Sequence, residues 1–187
     1  MSAPESGDFF LIHKHQKDDR MSTVRTFSRS AATGGVSSIG KFNETLDHLI
    51  SQLKGRYPAE VANYQYYENL LVTARKVNAK LLITRLMKNF TPFLEIIMRR
   101  DKAAFTGLTV GAIRAQLGNA VAAPPSEREE YLFENVKQII RDERDEEFIQ
   151  NLWQMLQLLV MQGAIVTRDP EQVATINRFR STPLPLD

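Results

Sequence analysis

Side chains that could carry out chemistry are few and widely spaced in this chain of 187 residues. The chain has no cysteine, which excludes disulfides, cysteine zinc sites and thiol nucleophiles. It has three histidines. The spacing of His13 and His15 suits only a transient metal contact, and His48 has no serine or lysine near it in the sequence in an arrangement typical of an activated catalytic group. The stretch 33–36, Thr-Gly-Gly-Val, lacks the Gly-Lys-Ser/Thr ending of a phosphate-binding loop. We therefore predict that no cofactor is bound.

An acidic cluster is the remaining candidate for a metal site or an acid–base pair. It consists of Glu143, Asp145, Glu146 and Glu147. Carboxylate metal sites in helical bundles use inward glutamates together with a Glu-x-x-His motif, and this sequence has no such motif. Acidic residues are favoured in the first turn of a helix by the helix dipole. We interpret the cluster as a helix start capped by Asp145, and predict neither a metal site nor an enzyme.

Apolar residues recur at helical spacing from Phe42 onward, and this pattern predicts an all-α fold. The first helix is expected to stop at Gly55, and Pro58 to open a second helix whose apolar side includes Leu70. Further helices are predicted near 77–90, 92–104, 110–117, 126–140, 145–162 and 172–179. Expected N-caps are Thr91, Ser126 (with Glu129 in a capping box) and Asp145, and Gly163 is expected to end the Trp153 helix.

The chain divides into three predicted parts: an N-terminal arm over 1–41, a compact bundle of about five to seven helices over 42–166, and a tail over 167–187. The tail is expected to hold a short helix and an extended end. The arm contains a flexible linker over 30–38 and is either disordered or ordered by a partner. The candidate partner-binding residues of the chain are its apolar and basic anchors: Phe9, Phe10, Arg25, Phe27, Arg29, Arg99 and Arg100.

Charge is segregated along the chain. Residues 75–102 contain eight bases and two acids, a net charge of +6, whereas 127–147 contain four bases and nine acids, a net charge of −5. These two regions could pair within the domain or between copies. Alternatively, the basic region could bind nucleic acid, with Tyr64, Tyr66 and Tyr67 available to stack on bases. The total net charge of only +2 favours protein contact.

The chain is expected to be soluble and intracellular. The first residues contain no apolar signal-peptide core. The longest apolar run, 156–166, is interrupted by Gln157, Gln162 and Gly163 and is shorter than the roughly 20 residues that span a bilayer. We therefore predict no transmembrane segment.

The order of aromatic and proline residues resembles a short all-helical protein type that recurs in nucleocytoplasmic large DNA viruses. The resemblance spans about residues 42–164. Its matching residues are Phe42, Tyr57-Pro58, Tyr66-Tyr67, Asn89, Pro92-Phe93, Asp101, Phe105, Trp153, Leu156-Gln157 and Gly163. The chain departs from that type in having Tyr57 where Phe is usual, and in its Gly/Ala-rich stretch 106–123.

This resemblance implies a virion component, and in particular a minor capsid protein that lies under the major capsid shell. It implies no catalytic residues. Its partners would be other capsid proteins, including the major capsid protein, with self-association also possible. Its location would be the virion, and the host cytoplasm during assembly. The leading hypothesis is therefore a structural protein whose tails and charged helix faces bridge capsid subunits.

Overall fold

A computed structural model describes residues 37–109, 111, 115 and 127–186, with only the backbone of 127–130 and 132. The described residues form helices and no strand, which confirms the all-α fold class. Some predictions lie outside these residues: those for Phe9, Phe10, Arg25, Phe27 and Arg29, most of the helix near 110–117, and the Ser126–Glu129 capping box. In this part of the chain the α-helices are α1 (Ser38–Arg56), α2 (Val61–Phe90), α3 (Leu94–Arg99), α4 (Lys102–Gly107), α5 (Glu127–Asp142), α6 (Glu146–Thr167) and α7 (Pro170–Asn177).

Helix α1 begins earlier and ends later than the sequence pattern suggested. Ser37, expected in a flexible linker, is the N-cap, and its hydroxyl accepts a hydrogen bond from the amide of Gly40 at 3.2 Å. Gly55 does not stop the helix, which continues to Arg56. A short 3-10 turn at Pro58–Glu60 then leads into α2.

Helix α2 is bent at Asn78, whose backbone is extended (φ −164°, ψ 98°). The side chain of Asn78 accepts a hydrogen bond from the amide of Leu81 at 2.9 Å and so caps the second half of α2. Two helical segments were expected here, and the bend separates them. Thr91, expected as an N-cap, is instead helical, and its hydroxyl donates back to the carbonyl of Met87 at 2.8 Å.

The helix expected over 92–104 is divided into α3 and α4. Arg100 between them has a left-handed backbone (φ 54°), and the carboxylate of Asp101 caps α4 by accepting from the amide of Ala104 at 2.9 Å. Leu94 and Ile97 are buried, and Ile96 between them is half-buried.

Helix α6 forms the centre of the core and packs against both α1 and α2. Trp153 is buried and meets Phe105 edge to face, with ring centroids 5.4 Å apart. Gly163 does not end this helix, which runs to Thr167 before Arg168 turns left-handed. Gly163 instead lies where α6 comes closest to Met87 of α2 and Phe42 of α1. The role of this glycine is therefore to allow the helices to pack closely, and it does not terminate α6.

The C-terminal segment returns to the domain. Helix α7 has Asp169 as N-cap and Pro170 in its first turn. After it, Leu184 is buried in the core cluster, and its amide donates to the side-chain oxygen of Asn177 at 2.9 Å. The stretch expected to be an extended end is thus anchored to the bundle at Leu184.

Candidate protein-contact surface

Glu143, a member of the acidic cluster 143–147, holds two parts of the domain together through hydrogen bonds. The guanidinium of Arg56, at the end of α1, donates to both oxygens of the Glu143 carboxylate at 3.1 and 3.0 Å. The Tyr57 hydroxyl donates to the same carboxylate at 2.7 Å. Backbone amides of Arg144 and Asp145 add two further hydrogen bonds at 2.9 and 3.0 Å. This carboxylate therefore joins the end of α1 to the turn between α5 and α6.

The electrostatics of this group follow from its hydrogen bonds. Arg56 first, and then Tyr57, lower the pKa of Glu143 to about 2 by stabilising the charged carboxylate. Burial, together with the hydrogen bond to Glu143, raises the pKa of Tyr57, so the phenol stays a donor. The Tyr57 hydroxyl makes a hydrogen bond to Glu143 that a phenylalanine at this position would lack.

The Asp145 carboxylate caps α6, as expected, by accepting from the amide of Phe148 at 3.0 Å. Among the described residues, no group of three or more His, Asp or Glu side chains is placed to hold a metal ion. The acids at this end of α6 occupy the first helical turn, where the positive end of the helix dipole favours them.

Arg99 and Arg100, predicted to bind a partner, both have contacts inside the domain. Arg99 pairs with Glu95 at 2.7 Å, and its guanidinium lies over the Phe179 ring, 5.4 Å from the centroid. Arg100 donates to the side-chain oxygens of Gln150 at 2.6 Å and Gln157 at 3.0 Å. Both arginines therefore link α3 and its C-cap to later parts of the chain, whether or not they also meet a partner.

The two oppositely charged regions have ion pairs with other parts of the domain. Arg75 on α2 pairs with Asp47 on α1 at 2.7 Å. Glu143 and Asp145 both meet Arg56, which lies outside the basic region. These pairs leave several cations of α2 and several acids beside α6 at the surface, where Lys76, Lys80, Glu146 and Glu147 are exposed.

Exposed apolar side chains are concentrated on α2. Of eight large hydrophobic residues exposed in the described part of the chain, six lie on this helix: Val61, Tyr66, Leu70, Val72, Val77 and Leu81. Val77 is 81% exposed and Leu81 is 63% exposed, and Leu70, which the sequence pattern placed on the apolar side of its helix, is 48% exposed. The buried positions of α2 are Tyr64, Tyr67, Ile83 and Met87. Apolar residues thus occupy more than one side of this helix.

We name Leu70, Val77 and Leu81, with the exposed Lys76 and Lys80, the α2 face. Helical geometry places Leu70 within about 20° of Val77 around the axis, since seven residues make nearly two turns. Lys80 and Leu81 come just after the bend at Asn78, so this angle applies only to the residues before it. The sequence from 69 to 94 contains five bases and no acid. The α2 face is therefore apolar at its centre and positive around it.

Sequence reasoning missed the α2 face because the apolar side of each predicted helix, which included Leu70, was expected to face the core. The available signal was that the apolar residues of 61–90 exceed one stripe, so that some of them must lie away from the core.

None of the helices in the described part of the chain is long and apolar enough to cross a membrane. Comparison of the chain with protein-family models, curated proteins and solved structures finds no match. The resemblance to viral minor capsid proteins stays a prediction.

Proposed function

We propose that this protein is a structural component of a large assembly, and that its helical domain presents the α2 face to a neighbouring protein. In line with the sequence resemblance, the proposed assembly is the capsid of a large DNA virus, with this chain as a minor capsid protein. The observation that carries the proposal is the concentration of exposed apolar residues on α2 beside the exposed Lys76 and Lys80.

The energetics favour a protein contact at this face. Fully burying a leucine or valine side chain contributes about 1.5–3 kcal/mol relative to leaving it in water. Leu70, Val77 and Leu81 are 48%, 81% and 63% exposed, so a partner that covers them gains the part of this free energy that corresponds to their exposed surface. The lysines of the α2 face, Lys76 and Lys80, then favour a partner whose contact surface carries acidic groups around an apolar patch.

The rest of the domain supplies a firm support for this face. Helix α6 packs against α2 around Gly163, and Glu143 ties α1 to the α5–α6 turn. A face held on a well-packed domain loses little conformational entropy when a partner binds. This is the property that a capsid-bridging role requires.

The test of the proposed function is quantitative mass spectrometry of purified virus particles washed at high salt. The chain should remain with the particles at a fixed ratio to the major capsid protein. Loss of the chain with the soluble fraction would refute the structural role. The matched variants Val77→Ser and Val72→Ser sharpen the test, because only Val77→Ser removes an apolar side chain from the α2 face and should lower incorporation.

A second candidate function is nucleic-acid binding, favoured by the acid-free stretch 69–94 with its five bases. Because Arg99 and Arg100 have contacts inside the domain, the better probes are Lys76→Glu and Lys80→Glu, with the exposed Lys102→Glu on α4 as control. A DNA-binding role predicts salt-dependent binding of a duplex that the two α2 substitutions weaken and Lys102→Glu leaves largely unchanged. No binding at low salt would remove this candidate.

A further inference from the structure

The α2 face has the spacing of a helix contact. In the part of α2 before the bend at Asn78, Leu70 and Val77 lie seven residues apart, which is a spacing with which one helix meets another, and the exposed Leu81 follows just after the bend. Ala74, half-buried, lies between the first two at the same phase. A nucleic-acid surface needs cations and stacking rings but gains nothing from exposed leucine and valine side chains. The spacing therefore favours a protein partner.

Pairing of two α2 faces with each other is electrostatically unfavourable. In an antiparallel pair centred on Val77, Lys76 and Lys80 of both copies would enter one contact. The sequence 69–94 offers no acid to offset these charges. Like charges brought together in a contact oppose binding, so the partner surface must be acidic.

The chain has such a surface at the turn between α5 and α6. Residues 142–147 contain five acids and one base, a net charge of −4, which becomes −3 when Arg56, paired with Glu143 and Asp145, is included. Asp142, Asp145, Glu146 and Glu147 are exposed, and we name these four the acidic corner. Glu143 beside them is held by Arg56 and Tyr57, which fixes the corner near the start of α2.

The acidic corner and the α2 face lie at different places on the domain. Val77 is 16 residues along α2 from Val61, a distance of about 24 Å along the helix. One copy can therefore use its acidic corner in one contact and its α2 face in another. A contact between two different surfaces is head to tail and repeats into rings or open arrays.

We propose that the α2 face of one copy binds the acidic corner of a second copy, head to tail. The proposal rests on the proposed function, since it names the partner of the α2 face. The contact is electrostatically steered, and salt weakens it. The apolar centre of the α2 face contributes affinity that salt does not remove.

The test uses charge reversal in the full chain, followed by sedimentation velocity over a concentration series. One variant carries Lys76→Glu with Lys80→Glu, and a second carries Glu146→Lys with Glu147→Lys. Wild type should self-associate, and each variant alone should stay monomeric. A mixture of the two variants should associate, because every α2 face then finds a corner of opposite charge.

Three results would overturn the proposal. Wild type that stays monomeric at low salt and high concentration is the first. Charge-reversed variants that associate alone as well as wild type are the second, and for the corner variant this result would point to α2–α2 pairing instead. A mixture that stays monomeric is the third.

Matched variants separate the contact from effects on folding. Val77→Ser should weaken self-association about tenfold, the factor expected for one lost valine contact. Val72→Ser, about 140° around α2 from Val77, should leave it unchanged. Since lysines in the first turn of α6 oppose the helix dipole, Asp142→Lys at the end of α5 serves as a second corner variant that suits the dipole there.

The same protein samples also test whether the α2 face binds DNA or a membrane instead of a second copy. A DNA duplex, or vesicles that contain phosphatidylserine, are added to wild type and to Val77→Ser. Binding that depends on Val77 in a chain that stays monomeric would overturn the second-copy proposal. The structural role could still hold in that case, because retention in washed particles is measured separately.

Discussion

Gly163→Ala is the substitution for which the structure gives the sharpest energetic prediction. A Cβ at residue 163 would lie 2.3 Å from Sδ and 2.6 Å from Cγ of Met87, and 3.3 Å from Cε2 of Phe42. Met87 and Phe42 are completely buried, so neither side chain can move into solvent. The added methyl group must displace packed atoms between α6, α2 and α1.

Two opposing effects decide the magnitude. Replacing glycine by alanine inside a helix otherwise stabilises it by about 1 kcal/mol. Forcing an extra methyl group into a packed core costs about 1–3 kcal/mol. Because two of the contacts would be shorter than 3.0 Å, we expect the cost at Gly163 to lie at the upper end of this range. We expect a net loss of about 1–2 kcal/mol, which lowers the melting temperature by roughly 2–8 °C for a domain of this size.

The assay is thermal and urea unfolding followed by circular dichroism, with Gly55→Ala as the matched control. Gly55 lies in α1, and a Cβ there meets nothing within 4 Å. Gly55→Ala should therefore leave stability unchanged or raise it by up to about 1 kcal/mol. Adding Met87→Ala to Gly163→Ala should cost less than Met87→Ala alone, since the methyl fills part of the space. A Gly163→Ala protein as stable as Gly55→Ala would refute the close-packing argument.

Three further predictions concern the core, the Glu143 cluster and the C-terminal segment. Trp153→Ala should cost about 3–5 kcal/mol of unfolding free energy in urea titrations, because the ring is 2% exposed and packs on Phe105. The lowered pKa of Glu143 gives stability that is present above pH 4.5 and lost as pH falls toward about 2. Over this pH interval, the wild type should therefore lose about 1–2 kcal/mol more unfolding free energy than Glu143→Gln. This is less than the full pKa shift implies, because Arg56 is 42% exposed and water weakens its ion pair with Glu143. Equal losses for the two proteins in pH-dependent melting would contradict the role of this carboxylate. Leu184→Ala should destabilise the domain by about 2 kcal/mol or more while Leu186→Ala changes little, and similar melting temperatures for the two would show that the end is not anchored.

The parts of the fold that follow from local chemistry were predictable from the sequence. Helical spacing gave the fold class, and Asp145 caps α6 as its position before an acidic first turn suggested. Trp153 and Phe42 are buried, as their place in apolar stripes indicated. In these cases the information lies within a few residues of the chain, where periodicity and capping operate.

The errors share a different physical cause, which is contact between distant residues. Gly163 looked like a helix end because glycine is common there, but it is required by Met87 and Phe42. Thr91 looked like a cap, but its hydroxyl accepts a hydrogen bond at 3.0 Å from the side-chain amide of Gln172, 81 residues further along the chain. In neither case does a local pattern reveal the partner, because packing overrides residue preference.

The candidate surface was only partly visible in the sequence. The basic region was recognised by its charge, yet its apolar centre was assigned to the core. A helix with apolar residues on two sides does not reveal which side the domain covers, and only the packing of Tyr64 and Ile83 decides it for α2. The bonding of Arg99 and Arg100 inside the domain was likewise hidden, because their partners lie far along the chain.

The most direct test of the central claim, that the α2 face is a protein contact surface, is the reactivity of a single thiol placed on it. The chain has no cysteine, so Val77→Cys introduces a unique label site, and Lys102→Cys gives an exposed control on α4. Maleimide labelling is timed in the dilute chain and in the assembled particle. We predict that the thiol of Val77→Cys reacts rapidly in the dilute chain and slowly in the assembled particle. The labelling rate of Lys102→Cys should fall much less between the two states. Equal labelling of Val77→Cys in both states would contradict the account.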